Sequence, residues 1–372
     1  MRYFIIAGEA SGDLHAANLM RALKEHDAAA DFCFLGGDLM QAQGGHMVKH
    51  YRDMAFMGVL NVILNLRKAL RNMRQCREAI VRHAPDIVIL VDYPGFNLRI
   101  AKFIKKHCHS KVYYYIAPKL WAWKSWRIRS IRRYVDRMFT IFPFETAYFA
   151  HLGYTVEYVG NPTVDAVQTW RTTHPDIKKS EQPTIALLAG SRRQEIRGCL
   201  PKMIQAAQAF DNYKIVVAGA PGIQPAFYRR LLPDNIAVSF DHTYDIVAKA
   251  TAAIVNSGTA TLETALIGTP QVVVYHVNGG FLATILRKLL IKIPYISLVN
   301  LVGEDEVVKE LVAQDFTVKK MQTALQLLLH DADYRRRMTE GYRRIARTLG
   351  HAGTAERTAA LITQDLLVNT GK

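Results

Sequence analysis

Tyr3-Phe4-Ile5-Ile6-Ala7 runs straight into Gly8-Glu9-Ala10-Ser11-Gly12-Asp13 and then into residues 14–24, whose apolar positions recur at helical spacing. An unbroken apolar run, a glycine turn and an amphipathic stretch read as buried strand, tight turn and helix, the opening of a parallel α/β sheet. The pattern recurs at Ile87-Val88-Ile89-Leu90-Val91 with 97–106, and Val112-Tyr113-Tyr114-Tyr115-Ile116 follows. A second series begins at Thr184-Ile185-Ala186-Leu187-Leu188 and continues through 214–218, 252–255 and 271–275. Two doubly wound domains are therefore predicted, as suits a chain of 372 residues. The polar stretch around Thr172-Thr173-His174-Pro175 and 178–183 separates the two series. The expected boundaries are an N-terminal domain over 1–170, a linker over 171–183, a second domain over 184–330 and C-terminal helices over 331–372.

Half of the residues are apolar, 22% are charged and 10% are aromatic, which excludes a disordered or low-complexity chain. Cys33, Cys76, Cys108 and Cys199 are scattered without a CxxC pair, which argues against a disulfide framework or a thiolate zinc site and for a reducing cytoplasm. His46 with His50, and His107 with His109, lack a third ligand nearby in sequence, so no metal is expected. No apolar run approaches the roughly 18–20 residues of a membrane helix, and a soluble or peripheral protein is expected. Lys and Arg number 48 against 32 Asp and Glu, a net charge of +16. That field favours nucleic acid, anionic lipid or phosphorylated substrates, and does not choose among them.

The chemistry concentrates in loops after strands. Gly8–Asp13 is neither GxGxxG nor a P-loop, yet its glycines and the helix start suit an approaching anion; the alternative is a plain turn. Val91-Asp92-Tyr93-Pro94-Gly95-Phe96-Asn97 lies at the carboxyl end of a very apolar strand, where open α/β sheets place their ligand crevice. Asp92 there reads either as a base with a raised pKa or as a cap of the turn that Pro94 imposes. Ala189-Gly190-Ser191-Arg192 repeats the strand-turn-helix plan and adds an arginine suited to phosphate. Asn256-Ser257-Gly258-Thr259-Ala260-Thr261-Leu262-Glu263 offers hydroxyls and N–H groups to a diphosphate. Glu263, one turn in, reads either as a ribose acceptor or as an acid that complements the helix dipole. Such loops in both domains suggest a nucleotide diphosphate in a cleft between them.

Three stretches mix cations with large apolar residues: 119–133 with Trp121, Trp123, Trp126 and Arg127, 57–82 with Leu60, Ile63 and Leu64, and 281–293. Without a nucleic-acid fold motif they favour an anionic membrane surface over DNA or RNA. The alternative is a core face with a solvated basic side.

Taken in order, these segments resemble the lipid-A-disaccharide synthase family, inverting glycosyltransferases of the GT-B type. The resemblance runs through Ala7–Asp13, Met57-Gly58, Asp92–Asn97, Ala117-Pro118-Lys119-Leu120-Trp121-Ala122-Trp123, Phe142-Pro143-Phe144-Glu145, Val159-Gly160-Asn161-Pro162, Gly190-Ser191-Arg192, Ser257–Glu263 and Tyr295-Ile296-Ser297-Leu298-Val299-Asn300-Leu301. It implies two Rossmann-like domains facing a cleft, with C-terminal helices that cross back or are exchanged between the protomers of a homodimer. The implied reaction is attack of the 6-hydroxyl of 2,3-diacylglucosamine 1-phosphate (lipid X) on the anomeric carbon of UDP-2,3-diacylglucosamine, giving the β-1,6 disaccharide 1-phosphate of lipid A assembly and UDP. Asp92 takes the role of general base, with Glu9, Ser11 and Gly12 on the wall near the reacting sugars. Gly190, Ser191, Arg192, Ser257, Gly258, Thr259 and Ala260 fall on the UDP-sugar donor, Glu263 on the ribose and Asn300 on the nucleotide side. No cofactor or metal is implied. Leu60, Ile63, Leu64, Trp121, Trp123, Trp126 and Arg127 would face lipid, which places the protein at the cytoplasmic face of the bacterial inner membrane. Gly95 replaces an acidic residue often found there, which concentrates the base role on Asp92, and Asn161 stands where histidine is common. The alternatives are a UDP-N-acetylglucosamine 2-epimerase, another GT-B UDP-sugar transferase, or a non-catalytic binder of RNA or membrane.

Overall fold

A computed structural model describes residues 1–54, 66–122, 125–240, 242–276 and 294–369. The chain forms two compact units, one comprising 1–162 with the segment from Gly353 onward, the other 163–352. Among the described residues the first unit contains seven strands: β1 (Arg2–Ala7), β2 (Asp31–Gly36), β3 (His46–His50), β4 (Ile87–Val91), β5 (Lys111–Tyr115), β6 (Arg137–Thr140) and β7 (Glu157–Tyr158). They pair in the order β3-β2-β1-β4-β5-β6-β7, all parallel. The chain therefore winds outward from β1 through β2 and β3, returns to β4 beside β1 and winds the other way. That reversal is the switch point at which such sheets open a crevice beyond their strand ends. The register sets Ala7 against Val91 and Val91 against Tyr115, so the residues leaving β1, β4 and β5 emerge side by side.

Both faces of this sheet are covered, which is why its strands read as unbroken apolar runs. Phe4, Ile6, Val88, Leu90, Val112 and Tyr114 face one core; Tyr3, Ile5, Ala7, Ile87, Ile89 and Val91 face the other. The second core is closed by helix Ala10–His26 and by the last helix, Thr354–Asn369, through Ala355, Ala359 and Ile362. Arg21 pairs with Glu356 at 2.9 Å, and the Arg137 and Arg357 guanidinium groups donate to the carbonyls of Leu361 and Val159. Buried Asp13 accepts N–H bonds from Gly37, Leu39 and Met40 at 2.7, 3.1 and 3.2 Å, which ties helix Ala10–His26 to the start of helix Asp38–Ala42.

The second unit repeats the plan with β8 (Thr184–Leu188), β9 (Lys214–Gly219), β10 (Ala237–Phe240), β11 (Ala252–Asn256), β12 (Gln271–Tyr275) and β13 (Glu310–Val312), in the parallel order β10-β9-β8-β11-β12-β13. Its switch point lies between β8 and β11, where Leu188 pairs with Val255.

The boundaries differ from the sequence expectation in two places. Helix Pro162–Thr173, from Thr163 on, belongs to the second unit, because Trp170 donates to Asp245 at 2.8 Å and Arg171 donates to the Leu266 carbonyl. The expected linker also lies along that unit, with the Ser180 N–H on the Lys249 carbonyl and the Lys179 ammonium on that of Ala250. Of the C-terminal helices, Ala332–Leu349 stays in the second unit, burying Met338, Tyr342 and Ile345. Thr354–Asn369, by contrast, belongs to the first unit.

Ile362 is fully buried, so Ile362→Ala is expected to lower stability by about 2–4 kcal/mol in urea titration. A change near zero would mean that the last helix is not docked.

Candidate functional site

The first unit's switch point is lined by Gly8-Glu9 after β1, Asp92-Tyr93 after β4 and the segment that follows β5. Asp92 and Tyr93 are consecutive left-handed residues, with φ of 41° and 47°. Aspartate tolerates that conformation better than most residues and tyrosine does not, so the turn must be held from outside. Asp92 donates its N–H to the Tyr115 carbonyl at 3.2 Å, and its own carbonyl accepts from the Asn97 amide at 2.7 Å and from the Tyr114 hydroxyl. The Tyr93 ring lies over Gly8, where a Cβ would come within 2.3 Å of it, so this position admits only glycine.

The backbone is thus pinned while the Asp92 carboxylate stays half-buried at the crevice. Burial, followed by the negative charge of Glu9, pushes its pKa up to about 6; the Lys119 ammonium and the Tyr93 N–H pull the other way. The helix cap position belongs to Tyr93, not Asp92, which removes the capping reading of this carboxylate. Glu9 is half-buried and accepts from the Ser11 hydroxyl at 2.9 Å. Ser11 is exposed, whereas Gly12 is buried with Ala7 Cβ only 3.3 Å from where its own Cβ would stand. Gly12 therefore lets the helix sit close on the strand, while Glu9 and Ser11 are the more accessible side chains of this loop.

The tryptophan-rich segment divides. Trp121 does not face outward as expected: its indole N–H donates to Glu145 at 3.0 Å and its ring packs edge-on against Phe142 and Phe144. Trp126 is 64% exposed, with the Arg127 guanidinium 5.8 Å from its ring centroid. Leu60, Ile63, Leu64, Trp123 and the stretch 281–293 lie outside the described residues. Asn161 is buried and donates to the Ile141 carbonyl at 2.8 Å, a structural place. Glu145 and Lys119 were not singled out by sequence. The signal for Glu145 was present, a Pro143 helix start with an acid two residues later.

In the second unit the loops after β8 and β11 meet. Gly190 has φ of 113°, and a Cβ there would come within 2.6 Å of Glu195 and 2.8 Å of Asn256. The Glu195 carboxylate accepts from the N–H groups of Ser191 and Arg192 at 3.1 and 3.3 Å and pairs with the Arg192 guanidinium at 3.1 Å. The donors that the sequence offered to phosphate are thus occupied by the chain's own acid. The start of helix Thr259–Ile267 is more open: Gly258 is exposed, has no neighbour within 4 Å of a Cβ position and carries no side chain to cap the helix. The Ser257 hydroxyl donates to the Ile296 carbonyl at 3.1 Å. Glu263 is half-buried, hydrogen-bonded to the Tyr244 hydroxyl, and its pKa is raised by burial.

Asn300 differs from expectation. It is fully buried, its amide donates to the Val308 carbonyl and to Glu310 at 2.8 and 2.9 Å, and its side-chain oxygen accepts the Val308 N–H at 2.9 Å. With these groups committed, Asn300 shapes the loop rather than reaching a ligand. Glu310 is the hub, accepting also from the N–H groups of Ile296 and Ser297 and from the Ser297 hydroxyl.

A family model described as lipid-A-disaccharide synthetase matches residues 3–363. The lipid-A-disaccharide synthase of Syntrophus aciditrophicus is 35% identical over 369 residues, covering 96% of each chain. That of Trichlorobacter lovleyi is 34% identical over 379 residues, covering 97% of this chain and 96% of its own. Among solved structures, a putative UDP-N-acetylglucosamine 2-epimerase from Listeria monocytogenes superposes with a TM-score of 0.64 at 14% identity, over 98% of this chain and 96% of that one. The calicheamicin glycosyltransferase CalG4 superposes with a TM-score of 0.61 at 17% identity, over 98% of each. At such identities the likeness shows the fold alone, the GT-B fold of these glycosyltransferases and epimerases.

A carboxyl raised to about 6 opposes folding once ionised, so the stability it contributes is present at low pH and lost as pH rises through 6. Asparagine stays neutral and accepts left-handed φ. Asp92→Asn is therefore expected to stabilise the fold by about 2 kcal/mol at pH 8 and by little at pH 4, read from thermal unfolding at both. An equal gain at both pH values would mean that charge is not the cause.

Proposed function

The chain belongs to the lipid-A-disaccharide synthase family of glycosyltransferases, and from that premise we propose that it transfers the sugar of UDP-2,3-diacylglucosamine to the 6-hydroxyl of 2,3-diacylglucosamine 1-phosphate. The observation that carries the reading is Asp92, a carboxylate at the switch point, on a pinned left-handed turn, with a pKa pushed up to about 6. Such a group is ionised at neutral pH yet basic enough to take a hydroxyl proton in the transition state. As Asp92 accepts that proton, the acceptor oxygen bonds to the anomeric carbon and the bond to UDP breaks on the opposite face, so the configuration inverts. Glu9 beside it raises the basicity of Asp92.

The departing diphosphate gains negative charge, and the open start of helix Thr259–Ile267 offers N–H groups and a positive dipole end to receive it. Arg192 joins by exchanging its Glu195 partner for phosphate. Glu263, oriented by Tyr244, accepts from the ribose hydroxyls. The acylated substrates reside in a bilayer, which the protein meets peripherally through exposed apolar and basic residues; no described helix is long and apolar enough to cross a membrane. Trp126 and, on the basic helix Leu66–His83, Leu70 and Val81 supply exposed apolar contact beside Arg67, Arg71, Arg74 and Arg82.

Incubation with both substrates is expected to yield a tetraacyl disaccharide 1-phosphate and one UDP per product by mass spectrometry. Isomerised UDP-N-acetylglucosamine in the absence of lipid would instead favour the epimerase reading. Asp92→Asn should cut turnover about 10²–10⁴-fold with UDP binding intact. Wild-type kcat/KM should fall as pH drops through about 6. Flotation with anionic vesicles should weaken in Trp126→Ala and with added salt.

A further inference from the structure

We propose that Glu145 is a positioning residue for the Asp92 reaction: by anchoring Trp121 it fixes loop 116–122 and thereby the place of the Lys119 ammonium, whose charge acts on Asp92. The inference rests on the reading of Asp92 as the base and adds residues to it that neither the sequence patterns nor the family match assigns.

The geometry begins where β5 ends. Tyr115 and Tyr114 hold the Asp92 backbone, so the segment leaving β5 starts at the crevice. That segment turns at once: Ile116 is left-handed with φ of 64°, the Leu120 N–H donates to the Pro118 carbonyl at 2.6 Å and the Ala122 N–H to that of Lys119 at 3.2 Å. Ala117, Pro118 and Leu120 are buried while Lys119 is exposed, so the tight turn turns one cation outward between buried neighbours. The far end of the turn is Trp121, and it hangs on Glu145.

Glu145 is 1% exposed and bridges two elements. One carboxylate oxygen accepts the Trp121 indole N–H at 3.0 Å; the other accepts the N–H groups of Ile141 and Phe142 at 3.3 and 3.1 Å, just beyond β6. Phe142 and Phe144 stack at 5.5 Å and form the wall against which Trp121 stands edge-on. The Lys119 charge acts on both carboxylates, opposing the rise that burial imposes on Glu145 and on Asp92. The charged and titratable groups around Asp92 are Glu9 from the β1 loop, Lys119 from this loop, Tyr93 of its own turn and Tyr114 of β5, which in turn faces Arg127. Lys119 is the cation among them that acts directly on Asp92, and releasing its loop removes the attraction that keeps the base ionised.

The test is the pH profile of kcat/KM for the full-length enzyme. Lys119→Ala is expected to move the acid limb upward by about 0.5–1 pH unit, with Lys119→Arg restoring it. Trp121→Phe, which keeps a ring against the phenylalanines but loses the N–H, and Glu145→Ala should move the limb the same way. The double variant Lys119→Ala/Trp121→Phe should move it no further than Lys119→Ala alone, because both remove one effect. If Glu145→Ala does not fold, Trp121→Phe decides. A limb that vanishes in Asp92→Asn but stays at its wild-type position in Trp121→Phe, whose melting temperature alone falls, overturns the positioning role and leaves the base intact. A limb that persists in Asp92→Asn overturns the base assignment, and the positioning role with it.

Discussion

The carbonyl of Tyr115 and the hydroxyl of Tyr114 hold the backbone of Asp92, and much of the first unit is arranged so that they can. Two successive left-handed residues, one of them tyrosine, are costly unless surrounding bonds over-determine them. Here β5 supplies two such bonds and Asn97, one turn into the following helix, supplies a third to the Asp92 carbonyl. Gly8 makes room for the Tyr93 ring. With its backbone so fastened, Asp92 can carry a carboxylate into a partly buried place where its charged form is disfavoured.

The buried and half-buried acids described above divide by how many donors reach them. Asp13 collects three backbone N–H groups and Glu310 collects four donors from three residues, so each of these carboxylates joins segments and has little left for a ligand. Asp92 and Glu263 receive few bonds and are pushed upward by burial, the pattern of groups that exchange protons or meet a ligand. Glu145 stands between the classes, well bonded yet raised to about 7. Its bonds explain its presence and its location explains its influence, because it ties the far end of the turn that carries Lys119, whose charge acts on Asp92.

The second unit presents a complementary electrostatic arrangement, with one helix start closed and one open. Glu195 covers the N–H groups of Ser191 and Arg192, while among the described residues no side chain caps the helix after Gly258. A diphosphate would have to displace the first and could approach the second directly. Asn300 and Glu310 lock the loop that receives the Ser257 hydroxyl through Ile296, so the open helix start is supported from behind.

The strands, the two units and the crevice carboxylate were legible in the sequence because they follow from local pattern: unbroken apolar runs need cover on both faces, and a carboxylate just past such a run emerges at a strand end. The order of motifs along the chain identified the family for the same reason, since each motif is a local solution to a turn or a helix start. What tertiary structure alone decided were the pairings of residues distant in sequence. Trp121 reads as a membrane-facing ring until Glu145 is placed 3.0 Å from its N–H, and Asn300 reads as a ligand contact until Val308 and Glu310 take its amide. Helix Pro162–Thr173 reads as the end of the first domain until Trp170 meets Asp245. A polar side chain does not reveal from its own sequence whether its partner is solvent, ligand or protein; only the fold, by desolvating it, settles which bond it must make.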